Sequence, residues 1–232
     1  MDEDHGQSAD TSAPPRRAGR PARINREQLV DAVLSLVDAE GLEAVSMRRL
    51  AAILDVKSPS LYNHVRTKEE LLDLAADSVV ATVDATSFDT EHWLVGLERW
   101  ARSYHEAILG HPNMVPWLAR GVQRGEQSLR NVDKVYGGLT RAGWSPRYAT
   151  LIGSSTRSIV YGSAMGSFAG GFPDDPGAYP STLEHIVNAH ELRSRRDNLD
   201  REAFELALRF LLDGAERLHA ELGQKKPRTR RR

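Results

Sequence analysis

Apolar residues recur along this chain with a helical period, and no run alternating every second residue between turns interrupts them. Residues 1–23, rich in Pro, Ser, Asp and Arg, have no period and read as a mobile arm. Periodicity begins at Asn25, which with Gln28 forms a capping box before Leu29, Val30, Val33, Leu34 and Val37. Gly41 ends that helix. Residues 47–54 read as a second, short helix behind the N-cap Ser46, and 54–57 as a turn. Ser58 and Pro59 open a third helix over about 59–64, as cap and first residue. Thr67 and Glu70 form another capping box, before Leu71, Leu72, Ala75, Ala76, Val79 and Val83.

Longer helices follow. Trp93, Leu97, Trp100, Tyr104 and Ile108 mark one face of a helix over 91–109, broken by Gly110 and Pro112. A short segment near 112–119 precedes helices over about 126–142 and from Pro146 to about Gly170. FPDDPGAYP is a loop, and two further helices fit 181–192 and 201–222, the second capped by Asp200. The fold class expected is all-α, with nine to ten helices. The expected divisions are an arm (1–23), a small head (24–70), a larger body (71–222) and a basic tail (223–232).

Charge sharpens that division. The 232 residues carry a net charge of −1, which excludes binding to polyanions through a uniformly cationic surface. Residues 16–71 hold 10 basic and 8 acidic side chains, whereas 72–223 hold 15 and 20. There is no Cys, so disulfide frameworks and thiolate chemistry are excluded. No window approaches 18 apolar residues and the acidic N-terminus lacks a hydrophobic stretch, so a soluble cytoplasmic protein without membrane association is expected.

The segment SMRRLAAILDVKSPSLYNHV reads helix, short turn, short helix. Leu50, Ile53, Leu54, Val56, Leu61 and Val65 can pack the pair together, leaving small, polar or basic residues at Lys57, Ser58, Ser60, Asn63 and His64. From spacing alone this fits a helix-turn-helix that enters a major groove, and equally a solvent-facing helical hairpin.

Residues 24–74, containing AEGLEAVSMRRLAAILDVKSPSLYNHVRTKEELLDL, resemble the DNA-binding region of the TetR family of bacterial repressors. The specific pattern is Pro59, Leu61, Tyr62 and His64, followed by Lys68. More loosely, 91–222 resemble the C-terminal domain of the tetracycline-repressor branch, most clearly in FELALRFLLDGAERL. The resemblance implies a homodimeric repressor on double-stranded DNA with a palindromic operator, released when a ligand in the body tilts the fourth helix. It places Ser46 as a cap near the DNA backbone and Arg48 on guanine. Ser58, Pro59, Ser60 and Asn63 would face base edges, Tyr62, His64 and Lys68 phosphates, and Lys57 is a further DNA-binding candidate. The arm arginines Arg16, Arg17, Arg20 and Arg23 become candidates for minor-groove contact. Where the family usually has Gly in the turn, this chain has Asp55, which tolerates left-handed backbone better than most residues.

For the body the resemblance implies a four-helix dimer interface, here from Ser158, Gly162 and Gly166 on one helix and Phe210, Leu211 and Gly214 on the other. Candidates for an apolar pocket are Trp93, Trp100, Tyr104, Met114, Trp117, Leu118, Tyr161 and Met165, with Trp144 and Phe168 nearby and polar tips at His105, Arg157 or Gln123. The ligand expected is a small apolar or aromatic molecule. Trp117 stands where the tetracycline repressor has its metal-binding histidine, so neither tetracycline nor its metal is expected. His185 and His190 are five apart, off the spacing that faces two ligands together, so no metal site and no cofactor are expected. No catalytic grouping stands out, so an enzyme is not expected. The competing readings are an activator, and a helical ligand-binding protein or carrier without specific DNA binding.

Overall fold

The computed structural model describes residues 24–121, 124–167, 169–180, 182–183, 185–186 and 189–224, and no strand occurs among them. They form eleven α-helices: α1 Arg26–Glu40, α2 Met47–Ile53, α3 Ser58–Leu61, α4 Lys68–Ala81, α5 Ser87–Thr90, α6 Trp93–Leu109, α7 Val115–Leu118, α8 Glu126–Arg141, α9 Pro146–Ala164, α10 Ala189–Arg193 and α11 Arg196–Gln224. The all-α class expected from periodicity is therefore observed, with one more helix than the upper count.

The head is set by local caps. Asn25 and Gln28 exchange both bonds of the capping box, at 2.7 and 3.1 Å, and Gly41 ends α1 at φ 84°. Ser46 accepts the Arg49 amide at the start of α2. That helix closes in a Schellman motif: the Val56 amide donates to the Ala51 carbonyl at 2.9 Å and the Asp55 amide to that of Ala52 at 3.3 Å. Asp55 holds the left-handed position at φ 51°. Leu50, Leu61 and Val65 are buried between the helices, whereas Ile53, expected in that packing, faces outward.

Two expected caps are corrected. α3 takes Lys57 as its N-cap, without a side-chain bond, so Ser58 is its first residue and Pro59 its second. It also ends at Leu61, and 62–64 are a turn. At α4, Thr67 caps the Glu70 amide at 3.1 Å, but the Glu70 carboxylate reaches back to the Arg66 amide instead of closing the box.

α4 carries apolar residues on two sides. It packs against α1 of the head and against α8 and α6 of the body, so one buried cluster runs from Ile24 to Ala215 without a break. Around it α6, α8, α9 and α11 form the body. The short helix α5, not expected from the sequence, inserts Phe88 where α6 and α8 meet. A Cβ built on Gly138 would lie 2.4 Å from the Phe88 ring, so only glycine permits this approach.

The C-terminal third departs from expectation. α9 ends at Ala164 rather than near Gly170, because the Met165 amide closes the last turn and Gly166 lies beyond it. Gly166, expected on that helix, thus lies outside it. A helix over 181–192 reduces to Ala189–Arg193 among the described residues, and α11 starts at Arg196, leaving Asp200 inside it rather than at its cap. Arg193 holds this region by donating to the Phe172 carbonyl at 2.7 Å and pairing with Asp174 at 2.8 Å.

Candidate functional site

Two regions collect the residues singled out from the sequence. The first is the outer surface of α2 and α3. Arg48, Lys57, Pro59, Ser60, Asn63 and His64 are exposed there, and Ser58 is half-buried. Tyr62 is 53% exposed, so it does not pack beneath the third helix. Arg48 makes no ion pair among the described residues, whereas its neighbour Arg49 is tied to Glu40. Lys68, the first residue of α4, is half-buried with its Nζ 3.9 Å from a Glu43 carboxylate oxygen. Ser46, already engaged as a cap, lies at the edge of this surface. Polar side chains without intramolecular partners, on two short helices buried by their apolar sides, make a surface able to contact another molecule's polar groups.

The second region is a cavity in the body. A chamber of about 200 Å³ is lined by Trp100, Val132, Tyr136, Gly153, Ser154 and Arg157, among others. A small lobe of about 20 Å³ shares Trp100, Val132 and Arg157 with it and adds Val80, Tyr104, Ser128 and Asn131. Its walls come from α4, α6, α8 and α9. Trp100 donates its indole N–H to the Asn131 side-chain oxygen at 2.8 Å, and the Asn131 amide donates to the Val83 carbonyl at 3.3 Å. The Tyr104 and Tyr161 hydroxyls share a hydrogen bond of 2.5 Å. Burial, and then Tyr161, push the Tyr104 phenol up against the opposing pull of Arg157, so it remains neutral. Arg157 lies over the Tyr161 ring and donates from Nη2 to the Gly121 carbonyl at 2.9 Å.

Ser128 joins this cavity to α4. Its hydroxyl is buried without a hydrogen-bond partner, while its backbone N–H donates to Oδ1 of Asp77 at 2.8 Å. Asp77, a buried carboxylate on α4, also accepts from the Gln127 amide at 3.3 Å and so caps α8 from another helix. A Cβ on Gly125 would lie 2.1 Å from the Asp77 carboxyl carbon, so the glycine leaves room for the cap. Neither Asp77 nor Ser128 was singled out from the sequence. The available signal was an acidic residue inside the apolar stripe of α4.

The residues expected to form one pocket are dispersed. Trp100, Tyr104 and Arg157 line the cavity and Tyr161 backs it. Trp93 lies elsewhere, packed against Trp144 and His219. His105 stacks on Phe204 with ring centroids 3.7 Å apart and faces a separate groove; burial holds its pKa below the ordinary value, with Glu205 and Glu106 opposing. Met114 and Leu118 are core residues, and Met165 is 66% exposed past the end of α9. Trp117 donates to Asp73 of α4 at 3.0 Å and carries the Arg120 guanidinium over its ring. Gln123 and Phe168 lie outside the described residues, as do the arm arginines and the C-terminal basic residues. Among the described residues no group of three His, Asp or Glu side chains is placed to hold a metal ion.

A face of α9 and α11 also remains open. Ser158, Gly162 and Gly214 are exposed on it, Phe210 is 65% exposed and Leu211 half-buried. Leu151 and Leu206 are exposed on the same two helices. Gly166, expected here, lies past the end of α9.

Residues 29–75, which include α2, α3 and their turn, match the family model of bacterial regulatory proteins, tetR family. Residues 88–218 match that of the tetracyclin repressor-like C-terminal domain. The chain belongs to the tetR family. It is thus a transcriptional regulator, with a DNA-binding helix-turn-helix in the first matched segment and a ligand-binding domain in the second. Similar proteins agree. An HTH-type transcriptional regulator of Saccharopolyspora erythraea is 26% identical over 173 residues, spanning 75% of this chain and 73% of that protein. The crystal structure of a possible TetR family transcriptional regulator from Streptomyces coelicolor A3(2) superposes with TM-score 0.70 at 27% identity, over 84% of this chain and 100% of that one. The Streptomyces coelicolor TetR family protein ActR in complex with actinorhodin superposes with TM-score 0.64 at 26% identity, over 84% and 99%. No described helix of this tetR-family regulator is long and apolar enough to cross a membrane.

Proposed function

We propose that this regulator is a repressor that binds a palindromic operator as a homodimer, is released by a small molecule in the body cavity, and has no enzymatic activity. The observation that carries the DNA half is the outward surface of α2 and α3, where Arg48, Pro59, Ser60, Tyr62, Asn63 and His64 have no side-chain hydrogen bond within the chain among the described residues. Arg48 is assigned to a guanine, Lys57, Ser58, Pro59, Ser60 and Asn63 to base edges, and Tyr62, His64, Lys68 and Ser46 to the phosphate backbone. The functional division follows the same lines, with a head over 24–70 and a body over 71–222.

The exposed face of α9 and α11 is assigned to the dimer, with Phe210 and Leu211 packing against the partner and Gly162 and Gly214 allowing close approach. Two copies then present two recognition surfaces about 34–36 Å apart, one turn of B-DNA. The effector site is the chamber beside Trp100 and Arg157, because the small lobe that shares those residues with it reaches Val80 of α4, the helix shared by head and body. That ActR was crystallised with actinorhodin supports a body that takes organic ligands. The test is a mobility shift on DNA from upstream of the protein's own coding region. A sequence-specific shift at moderate salt is expected; a shift that unrelated DNA competes away equally well overturns the reading.

A further inference from the structure

We propose that the body cavity is built for a one- or two-ring aromatic carboxylate, its rings in the chamber between Trp100 and Tyr136 and its carboxylate against Arg157, with one oxygen directed at Ser128. This rests on the cavity being the effector site.

The polar groups of the wall can be accounted for one by one. Asn131 is spent, accepting from Trp100 and donating to the Val83 carbonyl. The Tyr104 and Tyr161 hydroxyls bond to each other. Tyr136 donates to the Pro146 carbonyl at 2.8 Å and Thr150 to the same carbonyl at 3.0 Å. Apart from Ser154, which is exposed to solvent, two groups are left over. The Ser128 hydroxyl, in a residue only 4% exposed that lines the small lobe, has no partner among the described residues. Arg157 lines both lobe and chamber, and its hydrogen bonds go from Nη2 to the neutral Gly121 carbonyl and Tyr161 hydroxyl. No described carboxylate pairs with this guanidinium, and burial keeps the Tyr104 phenol neutral. A half-buried cation without a described counter-charge favours an anionic guest.

Size and shape narrow the guest. A cavity of ~150 Å³ takes up benzene, so a chamber of about 200 Å³ suits one or two fused rings. The lobe, at about 20 Å³, holds a single oxygen atom and has no room for a phosphate. A planar carboxylate fits both: one oxygen accepts from Ser128 in the lobe, and the other accepts from the guanidinium.

Gly153 supplies an independent control. It lines the chamber, and a Cβ built there meets nothing within 4 Å, so a side chain can be added at this wall without an initial clash.

Titration calorimetry on the full-length protein with 2-naphthoate and its uncharged analogue 2-naphthamide tests the inference. Wild type is expected to bind naphthoate about tenfold to a hundredfold more tightly, the range of one charge-assisted contact. Arg157→Gln is expected to bind both alike and Arg157→Lys to keep part of the preference, whereas Gly153→Leu binds neither. If naphthamide equals or exceeds naphthoate in wild type while Gly153→Leu abolishes both, the assignment of an anion is overturned and the effector site stands. If Gly153→Leu binds as wild type does, or wild type binds neither probe at millimolar concentration, the effector site itself is wrong and the inference falls with it.

Discussion

The carboxylate of Asp77 and the backbone amide of Ser128 are joined by a 2.8 Å hydrogen bond that crosses from α4 to the first turn of α8. The same Ser128 lines the small lobe of the cavity, and its buried hydroxyl has no hydrogen-bond partner among the described residues. One residue thus meets a guest with its side chain and holds the head-bearing helix with its main chain. A guest that draws Ser128 inward displaces the acceptor of that bond, and with it α4, which starts at Lys68 beside the recognition surface. Coupling of this kind is a difference in affinity between two arrangements of the same contacts.

Replacing Asp77 separates the two halves of that link. Asp77→Ala leaves the amides of Gln127 and Ser128 without their cap, a loss of about 0.5–2 kcal/mol. For a chain of this size each kcal/mol lowers the Tm by about 2–4 °C. Beyond that loss, the variant is expected to bind the cavity ligand with near-normal affinity while the ligand loses most of its effect on DNA affinity. Asp77→Asn keeps one acceptor oxygen, enough for the Ser128 amide but not for both amides, and is expected to retain the ligand's effect in part. Calorimetry for the ligand and fluorescence anisotropy for the DNA check this. Undiminished release in the Ala variant would sink the role given to Asp77.

On the head, two cations are expected to behave differently. Arg48 is exposed without an ion pair, so Arg48→Ala should cost about 1–3 kcal/mol on the operator and relax the preference at one base pair. Lys68 sits at the end of α4, where the positive pole of the helix adds to its pull on phosphate. Lys68→Ala should weaken all sequences alike and lower the salt slope by about one. Anisotropy titrations on single-base variants of the site, at several salt concentrations, separate the two.

Asp55 occupies the left-handed position of a Schellman turn at φ 51°. Such backbone costs an L-residue roughly 1–2 kcal/mol, less for Asp than for most residues. Asp55→Gly is therefore expected to raise stability by up to about 1 kcal/mol, measured by urea denaturation with an unchanged m-value. A destabilised variant would show that the Asp side chain supports the turn.

The contrast between Asp55 and Asp200 shows what is legible in a sequence. Some signals carried within four residues were readable: the Asn25–Gln28 box, the Ser46 cap and the left-handed Asp55 lie where expected, whereas the Ser58 cap and the Thr67–Glu70 box did not form. The Asp200 cap is the same kind of signal, yet α11 runs through it from Arg196. There the chain is held by tertiary contacts, from Arg193 to the Phe172 carbonyl and Asp174, which leave no local mark. The cavity follows the same rule. Trp100 and Arg157 were named by residue type, but Ser128 and Asp77 acquire meaning only once α4 and α8 are packed. Trp93 and Met165 bear the same apolar character as the lining residues and lie elsewhere.

Phe210 tests the dimer face. It is 65% exposed in the middle of α11, with Leu206 one turn before it. Phe210→Glu places a charge in the assigned interface, where it is desolvated without a partner. Sedimentation is expected to show a monomer at micromolar concentration, with operator binding lost in parallel. A variant that remains dimeric would move the interface elsewhere.

The most direct measurement of the whole account is a footprint of the protein on DNA from upstream of its own coding region. Two protected half-sites of inverted sequence, centred about 10 base pairs or a multiple apart on the duplex, are predicted, and both should weaken together in Arg48→Ala. Diffuse protection without a two-fold pattern, or a pattern unchanged by Arg48→Ala, would contradict it.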